Sequence, residues 1–221
     1  MLFIRFALDD WYFARDFIHR TRAKIEERLD RFARELALLA RETDADEIII
    51  AGHSLGAPLS LVVVDRALQL DPQLRRCTRP LHIVSSGSSL LKLALHPAAV
   101  WLREVVERVA SSPAIYWVDF QAADDIINVY NVDPVVALRI PAIGKPIIKI
   151  IRIREMLRRA TYRRLHLNFL RIHRQATMGN ERRYYYDYYM LCCGPIRLVE
   201  RVNNSEASVA AFGSDGALSG T

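Results

Sequence analysis

The chain has 221 residues, 31 Lys+Arg against 25 Asp+Glu, and a formal net charge of +6. Hydrophobic residues make up 51% and charged residues 25%, which excludes a disordered or fibrous chain and suits one domain with a sizeable core. No run of about 18 apolar residues occurs, so no membrane-spanning helix is expected, and the early acids Asp9 and Asp10 argue against a signal peptide.

Leu2 to Phe6 (LFIRF) is a short apolar run that reads as a strand, after which Asp9 or Asp10 caps a long helix. Ile18, Ile25, Leu29, Phe32, Leu36 and Leu39 recur at steps of seven, four and three, which predicts one helix from about Trp11 to Arg41. Lys24, Glu27, Arg31 and Arg34 form its solvated face, and Thr43 to Asp46 ends it. Glu47 to Ala51 (EIIIA) has the β-branched, uniformly apolar look of a strand buried on both faces of a parallel sheet. A turn over Gly52–Gly56 leads into a helix over Leu59 to Leu70.

The alternation continues with a strand at Leu81 to Ser85, the small-residue run SSGSS, a helix through Trp101, Val105 and Val109, and a strand at Ala114 to Phe120. Strands alternating with helices across short turns define the α/β class, with a mostly parallel sheet and flanking helices. Residues 134–165, rich in Pro, Ile and Arg, interrupt the rhythm and read as an excursion outside it. Asn168 to Thr177 is expected to be the next strand, and Tyr184 to Cys193 either a helix or a strand. From about Asn203 to Thr221, Ser, Ala and Gly dominate, and a disordered tail is expected.

The positive charge is local. Between Arg139 and Arg174 there are eleven Lys+Arg and one acid, Glu155, so the remainder is slightly acidic. Nucleic-acid binding would interleave aromatics with these basic residues, and only Tyr162 qualifies, so no nucleic-acid partner is expected. Cys77, Cys192 and Cys193 form no CxxC pattern and are odd in number, which favours buried thiols and a reducing, cytoplasmic compartment.

Gly52-His53-Ser54-Leu55-Gly56 is a G-x-S-x-G between an expected strand and an expected helix. A serine at such an elbow takes a strained backbone conformation, and small flanking residues avoid clashes across the turn. The Ser54 hydroxyl is then lifted above the carboxyl end of the sheet, and the Leu55 N–H, at a helix N-terminus, points where an oxyanion would develop. A tight turn without chemistry is the plainer alternative.

With this elbow the chain resembles the α/β-hydrolase superfamily, its lipase and esterase members above all, over about residues 1–200; EIIIAGHSLG and the β/α rhythm carry the resemblance. It implies a triad in the order Ser, acid, His, with the acid just past the second strand after the elbow, here Asp119-Phe120-Gln121-Ala122-Ala123-Asp124-Asp125. Asp119 falls inside the strand. Asp125, followed by Ile126-Ile127, is the first candidate and Asp124 the second, unless the pair caps a turn or helix. His166 and His173 are the histidines downstream of Asp125; His173 is expected at the histidine loop, with His166 the weaker alternative. A buried histidine bonded to a backbone carbonyl is the bland reading of His173, and His53 is expected to pack beside the site. The resemblance also implies two or three strands ahead of the helix before the elbow, and a loop giving a second oxyanion N–H. Only Leu2 to Phe6 precedes that helix and Gly52 is the first glycine, so an N-terminally truncated α/β-hydrolase-like fold is expected.

Residues 139–165 then read either as a cap-like lid touching acyl chains or an anionic membrane surface, or as a helix with a solvated Arg face packed on the sheet. The tyrosines from Tyr184 to Tyr189 are expected in core or edge packing. The expected function is hydrolysis of a carboxylic ester, of a lipid or small molecule, through an acyl-enzyme without cofactor or metal. Acyl transfer by the same triad is an alternative. Another is a catalytically weakened homologue that binds lipid or protein through an exposed sheet edge.

Overall fold

The computed structural model of the chain describes residues 2–76, 80–204 and 210, so Cys77 and most of the expected tail lie outside the described residues. The elements run α1 (Leu2–Ile18), α2 (Ala23–Glu42), β1 (Ile48–His53), α3 (Gly56–Leu70), a 3-10 turn (Pro72–Arg76), β2 (Leu81–Ser86), α4 (Leu90–Ala94), α5 (Val100–Ala110) and β3 (Ile115–Ala122). There follow α6 (Pro134–Ala137), β4 (Ile147–Ile151), α7 (Ile153–Met156), α8 (Arg159–Leu165), α9 (Phe169–Gln175), α10 (Tyr188–Cys193) and α11 (Leu198–Asn203).

The four strands form one all-parallel sheet in the order β1-β2-β3-β4, with Ile48 opposite Leu81, Leu81 opposite Ile115, and Val118 opposite Ile147. Parallel strands need crossovers, and crossovers put helices on the faces. Ile48, Leu81, Ile83 and Trp117 join the core made with α2, α3 and α5. Val84, Val118, Phe120 and Ile151 join a second core on the opposite face with Ile172, Leu191 and Leu198 of α9, α10 and α11. Both faces are covered, which is why the strands are apolar throughout rather than alternating. α2 buries Leu29, Ala33, Leu36 and Ala40, a stripe at helical spacing. Among the described residues no helix is long and apolar enough to cross a membrane.

Several expectations are corrected. Leu2 to Phe6 opens a helix, not a strand, so Asp9 and Asp10 lie within α1 rather than capping it. The long helix expected from Trp11 to Arg41 is two helices: the chain breaks after Ile18, with Arg20 at a φ of 55°. The expected stripe holds in part: Ile18, Leu29 and Leu36 reach the same core and Ile25 packs against it, whereas Phe32 and Leu39 are exposed. Residues 147–151 are not outside the β/α rhythm but supply the fourth strand; Lys149 between isoleucines hid it in the sequence. Residues 168–177 hold a helix instead of a strand, because the Asn168 side chain accepts from the Arg171 N–H at 3.1 Å and starts α9. Asp187 starts α10 in the same way, so the tyrosine run is irregular before it and helical after. Tyr186 is buried and its hydroxyl donates to the Ala176 carbonyl at 2.6 Å. Cys192 is half-buried, its thiol pushed up to about 11 by burial, whereas Cys193 is exposed.

Candidate active site

β1 stops at His53 and α3 starts at Gly56, so the chain reverses direction within two residues. Ser54 adopts a φ of 55°, a conformation that costs a non-glycine residue about 1–3 kcal/mol. Three backbone bonds hold it there. Ser54 N–H donates to the Ser86 carbonyl at 3.1 Å, and the Ser54 carbonyl accepts from Ser89 N–H at 3.1 Å and Ala57 N–H at 3.2 Å. The two elbow glycines are not equivalent. A Cβ on Gly52 would stand 2.5 Å from Ser60 Oγ and 2.6 Å from the Gly56 carbonyl oxygen, whereas one on Gly56 meets nothing within 4 Å. Of the two glycines, Gly52 is therefore the one at which strand and helix approach too closely for a side chain. Leu55 caps α3 at a φ of −63°, and its N–H makes no hydrogen bond to a described residue.

The candidate acid and base come together. His173 Nδ1 donates to Asp125 Oδ2 at 2.6 Å, and both side chains are buried. A carboxylate only accepts, so the proton sits on Nδ1 and the Nε2 lone pair is free. That Nε2 is buried and makes no hydrogen bond to a described residue. The turn after β3 aims Asp125: its Oδ1 accepts from Ile127 N–H at 2.9 Å, and Asn128 Nδ2 donates to the Ala122 carbonyl at 3.1 Å. Lys92 of α4 donates its ammonium to the Ile127 carbonyl. Burial pushes the Lys92 ammonium down, against the neighbouring charges of Asp125 and Asp10. Burial likewise pushes the Asp10 carboxyl up, opposed by Lys92 and His173, so α1 brings an acid towards this cluster.

The His53 ring lies 4.5 Å from that of His173, centroid to centroid, and its Nδ1 is 3.0 Å from the Ser86 carbonyl oxygen. Burial, then the proximity of His173, holds the His53 imidazole down to about 4, so it is neutral at pH 7. Gly87 makes room for both rings. It has a φ of 53°, and a Cβ there would stand 3.0 Å from His173 Cε1 and 3.1 Å from His53 Cε1. Ser54 Oγ is 3.4 Å from Ser89 Oγ and bonds to neither imidazole. Gly87 and Ser89 were missed as site residues; the SSGSS run at the end of a strand was their only signal.

The weaker candidates stand elsewhere. Asp124 accepts from Ile153 N–H at 2.7 Å and Arg154 N–H at 2.8 Å, capping α7. His166 is exposed, and its Nδ1 donates to the Arg163 carbonyl at 2.7 Å. Asp119 is buried within β3, accepting from Ser85 Oγ at 2.6 Å and Gln121 Nε2 at 2.8 Å, with its carboxyl pushed up by burial. Among the described residues no group of three or more His, Cys, Asp and Glu is arranged to hold a metal ion. A groove of about 1220 Å³ is lined by residues of α2, β1 and α3 and not by Ser54, Asp125 or His173.

No family model, curated protein or solved structure matches the chain. The geometry itself is a serine on a strained strand-to-helix turn, beside a carboxylate-imidazole pair with a free, desolvated nitrogen. Such a set can activate a hydroxyl and shuttle its proton.

Proposed function

We propose that this chain is a serine hydrolase of the α/β-hydrolase superfamily, lipase- or esterase-like, cleaving a carboxylic ester without cofactor or metal. The 2.6 Å bond between Asp125 and His173 carries the reading, because it joins residues of two distant segments beside the Ser54 elbow. Ser54 Oγ attacks the ester carbonyl carbon and its proton passes to His173 Nε2. Asp125 holds the imidazole in the tautomer that can accept and then stabilises the imidazolium. The unbonded Leu55 N–H donates to the developing oxyanion. His173 returns the proton to the leaving alkoxide, and a water molecule repeats the cycle on the acyl-enzyme. Rotation of Ser54 away from Ser89 joins Oγ to Nε2 as substrate enters, since such contacts tighten in the substrate complex. The same residues permit transfer of the acyl group to an alcohol or thiol.

Ile126, Leu167 and Phe169 are exposed beside the acid and base in the chain, and the exposed Arg163, Arg164 and Arg171 accompany them. This mixture supports a lipid ester presented at an anionic surface as substrate. The free thiols of Cys192 and Cys193 support a reducing, cytoplasmic location.

Labelling with a fluorophosphonate probe tests the reading: the wild type reacts and a folded Ser54→Ala variant does not. A second reading, a weakened homologue that only binds, is favoured by one observation, the contact of Ser54 Oγ with Ser89 in place of an imidazole. Folded protein without Ser54-dependent labelling decides for it.

A further inference from the structure

The short helix α4 holds the candidate site at both of its ends. Ser89, which caps α4, donates its backbone N–H to the Ser54 carbonyl at 3.1 Å and so braces the strained elbow. Three residues on, the Lys92 ammonium donates to the Ile127 carbonyl in the turn after β3. Ile127 also donates its N–H to Asp125 Oδ1 at 2.9 Å, so both polar backbone groups of this residue are taken up by side chains of the site. Asn128 N–H closes the same turn on the Asp125 carbonyl at 3.2 Å. Leu90, Leu91, Leu93 and Ala94 are buried and anchor α4, and Lys92 is its one residue that is not. The charges around this bond come from three elements. Lys92 faces two carboxylates, Asp125 from the turn after β3 and Asp10 from α1, which packs against α4. Asp10 acts on Lys92 and on His173 alike. His53 from β1 is neutral at pH 7, and Arg171 and Arg174, which share α9 with His173, are exposed.

We infer that Lys92 is a positioning residue for the reaction of Ser54, His173 and Asp125: it pins the acid turn to the helix that braces the elbow, and it offsets the Asp10 carboxylate. The inference rests on the hydrolase reading proposed above. Pinning matters because Asp125 sits in a turn between β3 and α6, with no helix or strand of its own to fix its aim. Loosening such a group by about 1 Å costs up to about a hundredfold in rate. The offset matters through its sign. Two carboxylates without a cation favour the imidazolium, so His173 would keep its proton to higher pH and fewer molecules would hold a free base. With Lys92 in place, one carboxylate is left uncompensated, and it is Asp125 that bonds to His173. A compact ammonium on a flexible stem can serve a carbonyl and two carboxylates at once. A contact that served stability alone would leave the pH dependence of the chemistry where it was.

The rate of fluorophosphonate labelling at Ser54, followed from about pH 5 to about pH 9 on the full chain, tests the role. Lys92→Met, at an exposed position, keeps the fold, labels about tenfold more slowly at its optimum, and moves the acid limb of the profile up by about half a pH unit. Lys92→Arg keeps the charge and the donor, so it restores the limb and brings the rate to within about threefold of the wild type. Lys92→Gln keeps a donor without the charge, so its limb moves as in Lys92→Met while more of the rate survives. Adding Asp10→Asn to Lys92→Met returns the limb but not the rate. Amide exchange reads the pin without any chemistry: the Ile127 and Asn128 amides exchange at least about tenfold faster in Lys92→Met, and those of β2 do not change. Labelling of Lys92→Met at the wild-type rate overturns the positioning role, and so do unchanged Ile127 and Asn128 amides. An acid limb that stays in place in both Lys92→Met and Lys92→Gln overturns the charge offset. Wild-type protein that does not label sinks the hydrolase reading itself, and the role of Lys92 in catalysis with it.

Discussion

His173 Nδ1 and Asp125 Oδ2 meet at 2.6 Å although they stand 48 positions apart in the chain. If that bond orients the general base, Asp125→Asn leaves the fold intact and lowers kcat on a p-nitrophenyl ester by about three to four orders of magnitude, because the amide favours the wrong tautomer. Asp124→Ala is the internal contrast. It removes the cap of α7 and costs about 1 kcal/mol of stability, with turnover held near the wild-type level. Steady-state kinetics and urea denaturation on the two variants separate the roles, and equal kinetic losses would contradict them.

The glycines near the elbow should differ sharply on substitution. Gly52→Ala forces a Cβ against the Gly56 backbone and is expected to destabilise by about 1–3 kcal/mol, whereas Gly56→Ala opens onto free space and is tolerated. Gly87→Ala acts differently, since the new Cβ would press on both imidazoles and sit at a positive φ. Its expected effect is loss of Ser54 labelling out of proportion to any loss of stability. Thermal melts and probe labelling of the three variants give the comparison.

The contact of Ser54 Oγ with Ser89 Oγ, at 3.4 Å, competes with any bond from Ser54 to His173. A neutral hydroxyl pair contributes at most about 1 kcal/mol, so Ser89→Ala should raise the rate of fluorophosphonate labelling by up to about fivefold. A marked fall in that rate would show instead that Ser89 supports the reactive rotamer.

The half-buried His53 and the buried His82 set an acid limit. Burial holds both the His53 and the His82 imidazoles down to about 4, against 6.5 for an ordinary histidine. His82 Nε2 stands 3.1 Å from Glu47 Oε2 without forming a hydrogen bond, and burial pushes the Glu47 carboxyl up. Between about 6.5 and 4 the unfolded chain takes up protons on these groups that the folded chain refuses. Stability is therefore full above pH 6.5 and falls as the pH drops through this window, by roughly 1.4 kcal/mol per pH unit for each histidine. Urea titrations at several pH values should show the slope, and His82→Gln should remove one proton from it. A flat profile would refute the assignment.

β1, β2, β3 and the elbow were legible in the sequence because their signals are local. Three β-branched residues in a row at Ile48–Ile50 need cover on both faces, and a serine between glycines after such a run marks a turn. The helices around residues 1–42 and 168–193 were harder. Leu2 to Phe6 is apolar at every position but Arg5, which fits a strand or a wide helical face equally. Asn168 and Asp187 carried the decisive cap signals, yet a cap decides nothing until the following side chains have a surface to bury against. Ile147–Ile151 joined the sheet despite Lys149 because β3 offered an unpaired edge.

The amino-acid sequence by itself determined the α/β class, the strand-turn-helix around Ser54, and a short set of acids and bases, all of them consequences of patterns within ten or twenty residues. Tertiary structure alone decided which acid meets which base: Asp124 and Asp125 are neighbours in sequence, but the turn after β3 sends one carboxylate to the α7 backbone and the other to His173. It also decided that, among the described residues, β1 stands at one end of the sheet and β4 at the other, since strand order depends on the packing of whole layers and not on the residues of any one strand.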